Sequence, residues 1–225
     1  MAKKSSVLDD GTAPEATDSK YARTRRRILD AAAHFLTVKG YAGTRLSDVA
    51  DYAEVQAPAI YYYFASRDDL IEEVMYSGIA DMRVHLEDVL TALPDTTSPL
   101  DRITAAMEAH LRHELDLSDY TSASIRNARQ IPEPLRARQQ QEESAYGLIW
   151  RGLLEDAVAS GEMRADLDVR AAQMLLLGAL NWAAEWFIAG RDSLDLLVAT
   201  AQALVRTGIG PTNDDVVAPP ARKRA

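Results

Sequence analysis

Apolar residues recur three and four positions apart along most of this chain, a spacing that predicts helices and not strands. Between Tyr21 and Lys39, residues Ile28, Ala32, Phe35 and Leu36 share one helical face, and Gly40 is predicted to close that helix in a left-handed cap. Leu46, Val49, Ala50 and Ala53 mark a short second helix, with Thr44 as its expected N-cap and Asp48 at its positive end. A third starts near Ala57 with Pro58 in its first turn, and Ile60 and Phe64 point inward. Longer segments follow: Ser66 to Leu93-Pro94, Ser98-Pro99 to about Leu117, a short helix before Ile131-Pro132-Glu133-Pro134, and a polar-faced helix to Ser160-Gly161. Two more span Asp168 to Ala189 and Ser193 to Thr207. Period-2 alternation and hairpin turns are missing, so the expected fold is all-α.

The last two helices differ in kind. Residues 171–186 are apolar almost all round, and Leu194, Leu197, Val198, Ala201, Leu204 and Val205 supply a facing stripe. So greasy a pair near the end of a chain predicts a homodimer built on a four-helix bundle, two helices from each subunit. The longest apolar run, Met174 to Ala184, is interrupted by Gly178 and Asn181 and is too short to span a membrane. Residues 1–20 lack both an apolar period and the apolar core of an export signal, and read as a disordered arm. Residues 210–225 read as a disordered tail, and the expected location is the cytoplasm. The expected domains are 21–66 as a three-helix head and 67–209 as a larger helical ligand-binding and dimerisation domain.

Composition sharpens this. The chain has no cysteine, which excludes a disulfide framework, a thiolate metal site and a cysteine nucleophile. Net charge is −9, yet Lys20 to Arg67 carries eight basic residues against four acidic, a local +4. A positive head on an acidic body suits a protein that finds phosphates without coating all DNA. Thr44 to Phe64 has the layout of a helix-turn-helix, in which one helix braces the backbone and the next enters the major groove. Gln56, Ala57 and Ala59 sit where base edges would be approached, and a glutamine can make a bidentate bond to adenine. Tyr62 and Tyr63 are expected to lean outward and Tyr61 toward the groove, to meet phosphates or thymine methyls; packing against the first helix is the bland alternative. Thr44, Arg45, Arg67 and Lys39 are candidate phosphate clamps, each alternatively a solvated surface group. The run Arg23 to Arg27 fits either DNA contact or an ordinary exposed face.

Gly40-Tyr41, Thr44, Asp48-Val49-Ala50, Ala53, Val55, Ile60 to Phe64, Arg67 and Leu70 together resemble the TetR family of transcriptional repressors. The likeness covers Arg23 to Val74 and implies an operator-binding repressor, a double-stranded DNA partner and a small-molecule effector. Two positions depart from the family pattern. Glu54 stands where glycine is usual, and a left-handed conformation there would cost about 1 kcal/mol. Gln56 stands where a serine usually caps the reading helix. The stretches Ser124 to Arg129, Gly178 to Trp182 and Glu185 to Phe187 look like the branch that represses fatty-acid or sterol degradation. That likeness implies release from DNA by an acyl-CoA thioester.

In the second half, Arg126 and Arg129 flank Asn127 and are candidates to hold an anionic head group, or else to pair with acids across the bundle. Trp150, Trp182, Trp186 and Phe187 are candidate walls of an apolar pocket, or filling for the core or a dimer interface. Asn181 falls in the second of those stretches, and Glu185, in an apolar run, would read a ligand or pair with an arginine. His110, His113 and Glu114 have a spacing that some metal sites use, but with only two other histidines no metal or cofactor is expected. Phosphate-cradling glycine loops and nucleophile elbows are missing, so no catalytic residue and no enzyme activity is expected. The alternative reading is a helical ligand-binding or scaffolding protein acting through protein partners; DNA binding would weaken steeply with salt, and apolar docking would not.

Overall fold

A computed structural model describes residues 15–117 and 119–211, leaving the expected arm up to residue 14 and the tail from 212 outside the described residues. The helices are α1 (Glu15–Gly43), α2 (Leu46–Tyr52), α3 (Ala57–Ile60), α4 (Arg67–Ala92), α5 (Pro99–Arg112), α6 (Asp119–Asn127), α7 (Ala137–Ser160), α8 (Val169–Trp186) and α9 (Leu194–Ile209). A π-helical turn, His113–Leu117, separates α5 from α6, and a 3-10 turn, Glu133–Arg136, precedes α7. Among the described residues no strand forms beyond one isolated bridge, Ala189 with Asp192. Among the described residues no helix is long and apolar enough to cross a membrane.

The boundaries follow the local chemistry. Ser66, Ser98, Asp168 and Ser193 each accept a hydrogen bond from the amide three residues on, satisfying a donor that the first turn would leave bare. Gly161, at φ 78°, ends α7 in the left-handed cap conformation. Gly40, at φ 69° and ψ 178°, breaks α1 where a cap was expected, but Tyr41 to Gly43 add a further turn. Two expectations are corrected. The first helix begins at Glu15, ahead of Tyr21, because residues 15–20 contain no glycine or proline to stop it. The residue capping α2 is Arg45, without a side-chain hydrogen bond, because the Thr44 hydroxyl donates backwards to the Gly40 carbonyl at 2.8 Å.

Two cores result. The first gathers Ile28, Ala32 and Leu36 of α1 with Val49, Ala50, Ile60, Phe64 and the start of α4, and reaches α6 at Ala123. The second fills the space between the far half of α4 and α5, α7, α8 and α9 around Trp150, Met82 and Leu154. Helix α4 runs through both. It crosses α6 at Gly78, where the backbones approach so closely that a methyl group would overlap the Tyr120 carbonyl. Here Thr121 donates to the Gly78 carbonyl and Ser124 to that of Met75, each at 3.0 Å.

Candidate functional site

The head presents its reading surface through a strained turn. Glu54 has φ 52°, the left-handed conformation expected of that position. Val55 donates to the Ala50 carbonyl at 2.9 Å, folding the chain back toward α3. Arg27 of α1 donates to the Ala53 carbonyl and to the Glu54 carboxylate, tying the turn to the first helix. Gln56 caps α3 without a side-chain hydrogen bond, and Pro58 sits in its first turn. Gln56, Pro58 and Tyr61 are exposed, Ala57 and Ala59 partly so, while Ile60 and Phe64 are buried as expected.

The tyrosines divide. Tyr61 and Tyr62 are exposed, Tyr62 at 75%. Tyr63 is half-buried against Tyr21, ring centres 4.9 Å apart, so its outward lean is corrected to packing on α1. Tyr21 also meets Tyr62 edge-on at 5.8 Å.

Several of the basic residues are committed within the protein. Arg67 donates to the carbonyls of Thr44 (2.9 Å) and Tyr41, with its guanidinium 4.5 Å over the Tyr41 ring. It therefore fastens the α1–α2 connection and is not a free clamp. Thr44 is buried at 3% exposure, its hydroxyl already spent. Lys39 pairs with Asp48 at 2.7 Å and holds that carboxyl below its ordinary range. Arg25 pairs with Glu73 at 2.9 Å. Arg45 remains exposed beside the reading surface.

Below the head, a cavity of about 580 Å³ opens among α4, α6, α7 and α8. Ile79 and Met82, Ile125 and Ala128, and Met174 and Leu177 give it apolar walls. Polar groups stand at both ends of the burial scale: His110, Ser124 and Tyr146 are buried, whereas Arg129 and Glu143 are exposed. Of the residues anticipated for a ligand, Arg129 and Asn181 line this cavity. Arg126 turns the other way, donating to the Ala184 carbonyl of α8 and to that of Thr37 in α1. Asn127 is fully buried: its amide donates to the carbonyls of Leu36 and Ala123 and accepts from the Tyr41 amide at 2.8 Å. Trp150 fills the core beside Tyr146, 6.3 Å between rings. Trp182 (64% exposed), Glu185 and Trp186 face outward from α8. A second apolar space of about 500 Å³ lies between α5, α8 and α9, bordered by Trp186.

Sequence reasoning missed Tyr146 and Ser124 as cavity residues and weighed His110 only as a metal ligand. The missed signal was their depth: polar side chains at otherwise apolar helix positions. His110 Nδ1 lies 2.8 Å from the Tyr146 hydroxyl and Nε2 3.3 Å from Glu114 Oε2. Burial pushes the Glu114 carboxyl up, and burial beside His85 and His110 depresses His113 to about 4. Among the described residues no three side chains converge as metal ligands.

Two family models match the chain. Residues 28–74 match the model described as bacterial regulatory proteins, tetR family, and residues 96–209 match the tetracyclin repressor-like C-terminal domain. The chain is 25% identical over 203 residues to the transcriptional repressor KstR2 of Rhodococcus jostii, covering 88% of this chain and 97% of that protein. It is 23% identical over 180 residues to the fatty acid metabolism regulator protein of Bacillus subtilis, covering 79% and 90%. A crystal structure of AibR with isovaleryl coenzyme A and operator DNA superimposes with a TM-score of 0.73 at 18% identity, over 80% of this chain and 97% of that one.

Proposed function

The chain belongs to the TetR family of bacterial regulatory proteins, and on that premise we propose a dimeric repressor that releases operator DNA when an acyl-thioester effector enters the α4–α8 cavity. Its matched relatives are transcriptional regulators. The observation that carries the proposal is the double duty of α6. One face supplies Ser124, Ile125, Ala128 and Arg129 to the cavity. The other clamps the head, through Asn127 to Leu36 and Tyr41, through Tyr120 to Asp30 at 2.7 Å, and through Arg126 to Thr37. Any ligand that displaces α6 therefore displaces α1.

Arg45, Gln56, Ala57, Ala59, Tyr61 and Tyr62 form the DNA surface in this reading, acting in the cytoplasm where the operator is. Thr44, Arg67 and Tyr63 support it from behind. Arg129 and Asn181 receive the polar part of the effector. The exposed apolar residues of α8 and α9, Leu175, Trp182, Trp186, Leu196 and Leu204, meet their counterparts on a second subunit. Two heads must then match half-sites about 34–36 Å apart, or a multiple of that, and a small rotation forfeits one head's contacts. Full switching requires the ligand to prefer the released form by about 10⁴-fold.

The test is binding to a labelled fragment from upstream of the protein's own gene, at a series of salt concentrations and with long-chain and steroid-type acyl-CoAs. Affinity should fall steeply with salt, through counterion release, and one thioester class should abolish it. Salt-independent binding, or indifference to every thioester, rejects the corresponding half of the proposal.

A further inference from the structure

The inner part of the cavity holds a polar group that its surroundings do not call for. In the core, α5 and α7 contribute the apolar side chains Met107, Leu111, Leu153 and Leu154. Among them His110 meets Tyr146, at 2% and 4% exposure, with Glu114 behind His110 at 1%. His110 Nε2 faces Glu114 Oε2 at 3.3 Å, and the Trp150 indole lies beside the Tyr146 ring, so the pair sits in a small buried polar cluster. Phenylalanine or leucine at these positions would pack without burying polar atoms at all. Tyr146, moreover, uses only part of its capacity on His110, because a phenol both donates and accepts.

The cavity is thus polar at its buried end, apolar through Ile79, Met82, Ile125 and Leu177, and polar again at the half-buried Gln173 and Asn181 and the exposed Arg129 and Glu143. We infer that the effector carries a neutral oxygen function, hydroxyl or keto, at its buried end, and that Tyr146, backed by His110, reads it. This rests on the cavity being the effector site. A plain hydrocarbon end would leave the remaining hydrogen-bonding capacity of the Tyr146 hydroxyl unused. An anionic end would be buried beside the Glu114 carboxyl, while the arginine of the cavity wall, Arg129, stands on the exposed side. The anionic part of the ligand accordingly lies outward, toward Arg129, and the neutral oxygen inward.

The experiment is calorimetric titration of the full chain with four matched thioesters: dodecanoyl-CoA, 12-hydroxydodecanoyl-CoA, 11-oxododecanoyl-CoA and the thioester of dodecanedioic acid, which ends in a carboxylate. At least one neutral oxygenated thioester should bind about tenfold more tightly than dodecanoyl-CoA, and the carboxylate-ended one less tightly than either oxygenated form. In Tyr146→Phe the preference should vanish. A cooperative thermal transition certifies that the variant folds, and His110→Gln carries the same comparison if it does not. Dodecanoyl-CoA binding as well as the oxygenated forms overturns the inference and leaves the effector cavity standing. A preference that survives both substitutions overturns the assignment to Tyr146 and His110. If no thioester binds, the cavity reading and the inference fall together.

Discussion

Single residues decide how the head is held, and two of them carry measurable costs. Glu54 occupies a left-handed turn that disfavours any side chain, and its ion pair with Arg27 is largely solvated. Replacing it by glycine should stabilise the protein by about 1 kcal/mol, a rise of roughly 2–4 °C in melting temperature for a chain of this size. Its strain was legible in the sequence, since one residue stood where glycine was expected. The inward turn of Thr44 and Arg67 was not, because a threonine hydroxyl or guanidinium selects backbone carbonyls that only the folded connection brings within reach. His113 is the second case. Its folded value near 4 lies below the ordinary 6.5, so between those values the unfolded chain takes up a proton that the folded chain refuses. Stability through this group therefore falls as pH drops from 6.5 to 4, whereas Glu114, raised by burial, acts in the opposite sense above 4.5. Thermal melts at pH 6.5 and 4 check this: a His113→Leu variant should lose less melting temperature over that interval than the parent.

At the scale of elements, helix spacing and capping chemistry located most helices to within a few residues, because both act over one or two turns. What the pattern could not give was which element faces which. Asn127 and Arg126 read in sequence as neighbours fit to share an anion, yet one is a bolt between α6 and α1 and the other spans to α8. Successive helical residues point about 100° apart, so adjacency in sequence separates rather than joins them. Gly78 is similar: inside a helical run it looks like a tolerated weakness, and it is the point where α4 and α6 meet backbone to backbone. Gly78→Ala should force those helices apart and destabilise the fold by about 1–3 kcal/mol, despite alanine's better helix propensity. Denaturant titration of the variant measures it, and an unchanged or raised midpoint would contradict the close crossing.

At the scale of the whole molecule, α8 and α9 leave apolar side chains exposed at Leu175, Trp182, Trp186, Leu196 and Leu204, the proposed dimer interface. The double substitution Leu175→Glu with Trp182→Glu should convert dimer to monomer in sedimentation and cost operator affinity at least about 100-fold, since two linked heads bind far better than one. An unaltered sedimentation rate would place the interface elsewhere. Helix α4 joins this bundle to the heads, and its geometry has a mechanical meaning. From the Gly78 crossing it extends about 16 Å toward the head and about 21 Å the other way. Crossed there by α6, α4 would act in the proposed switch as a two-armed lever with nearly equal arms. A sideways push of one ångström at the Ala92 end arrives at Arg67 as roughly 0.8 Å in the opposite direction, by the ratio of those arms. In the proposed switch the head and the far end of the bundle would therefore swing in antiphase, and widening one end of the dimer would narrow the other.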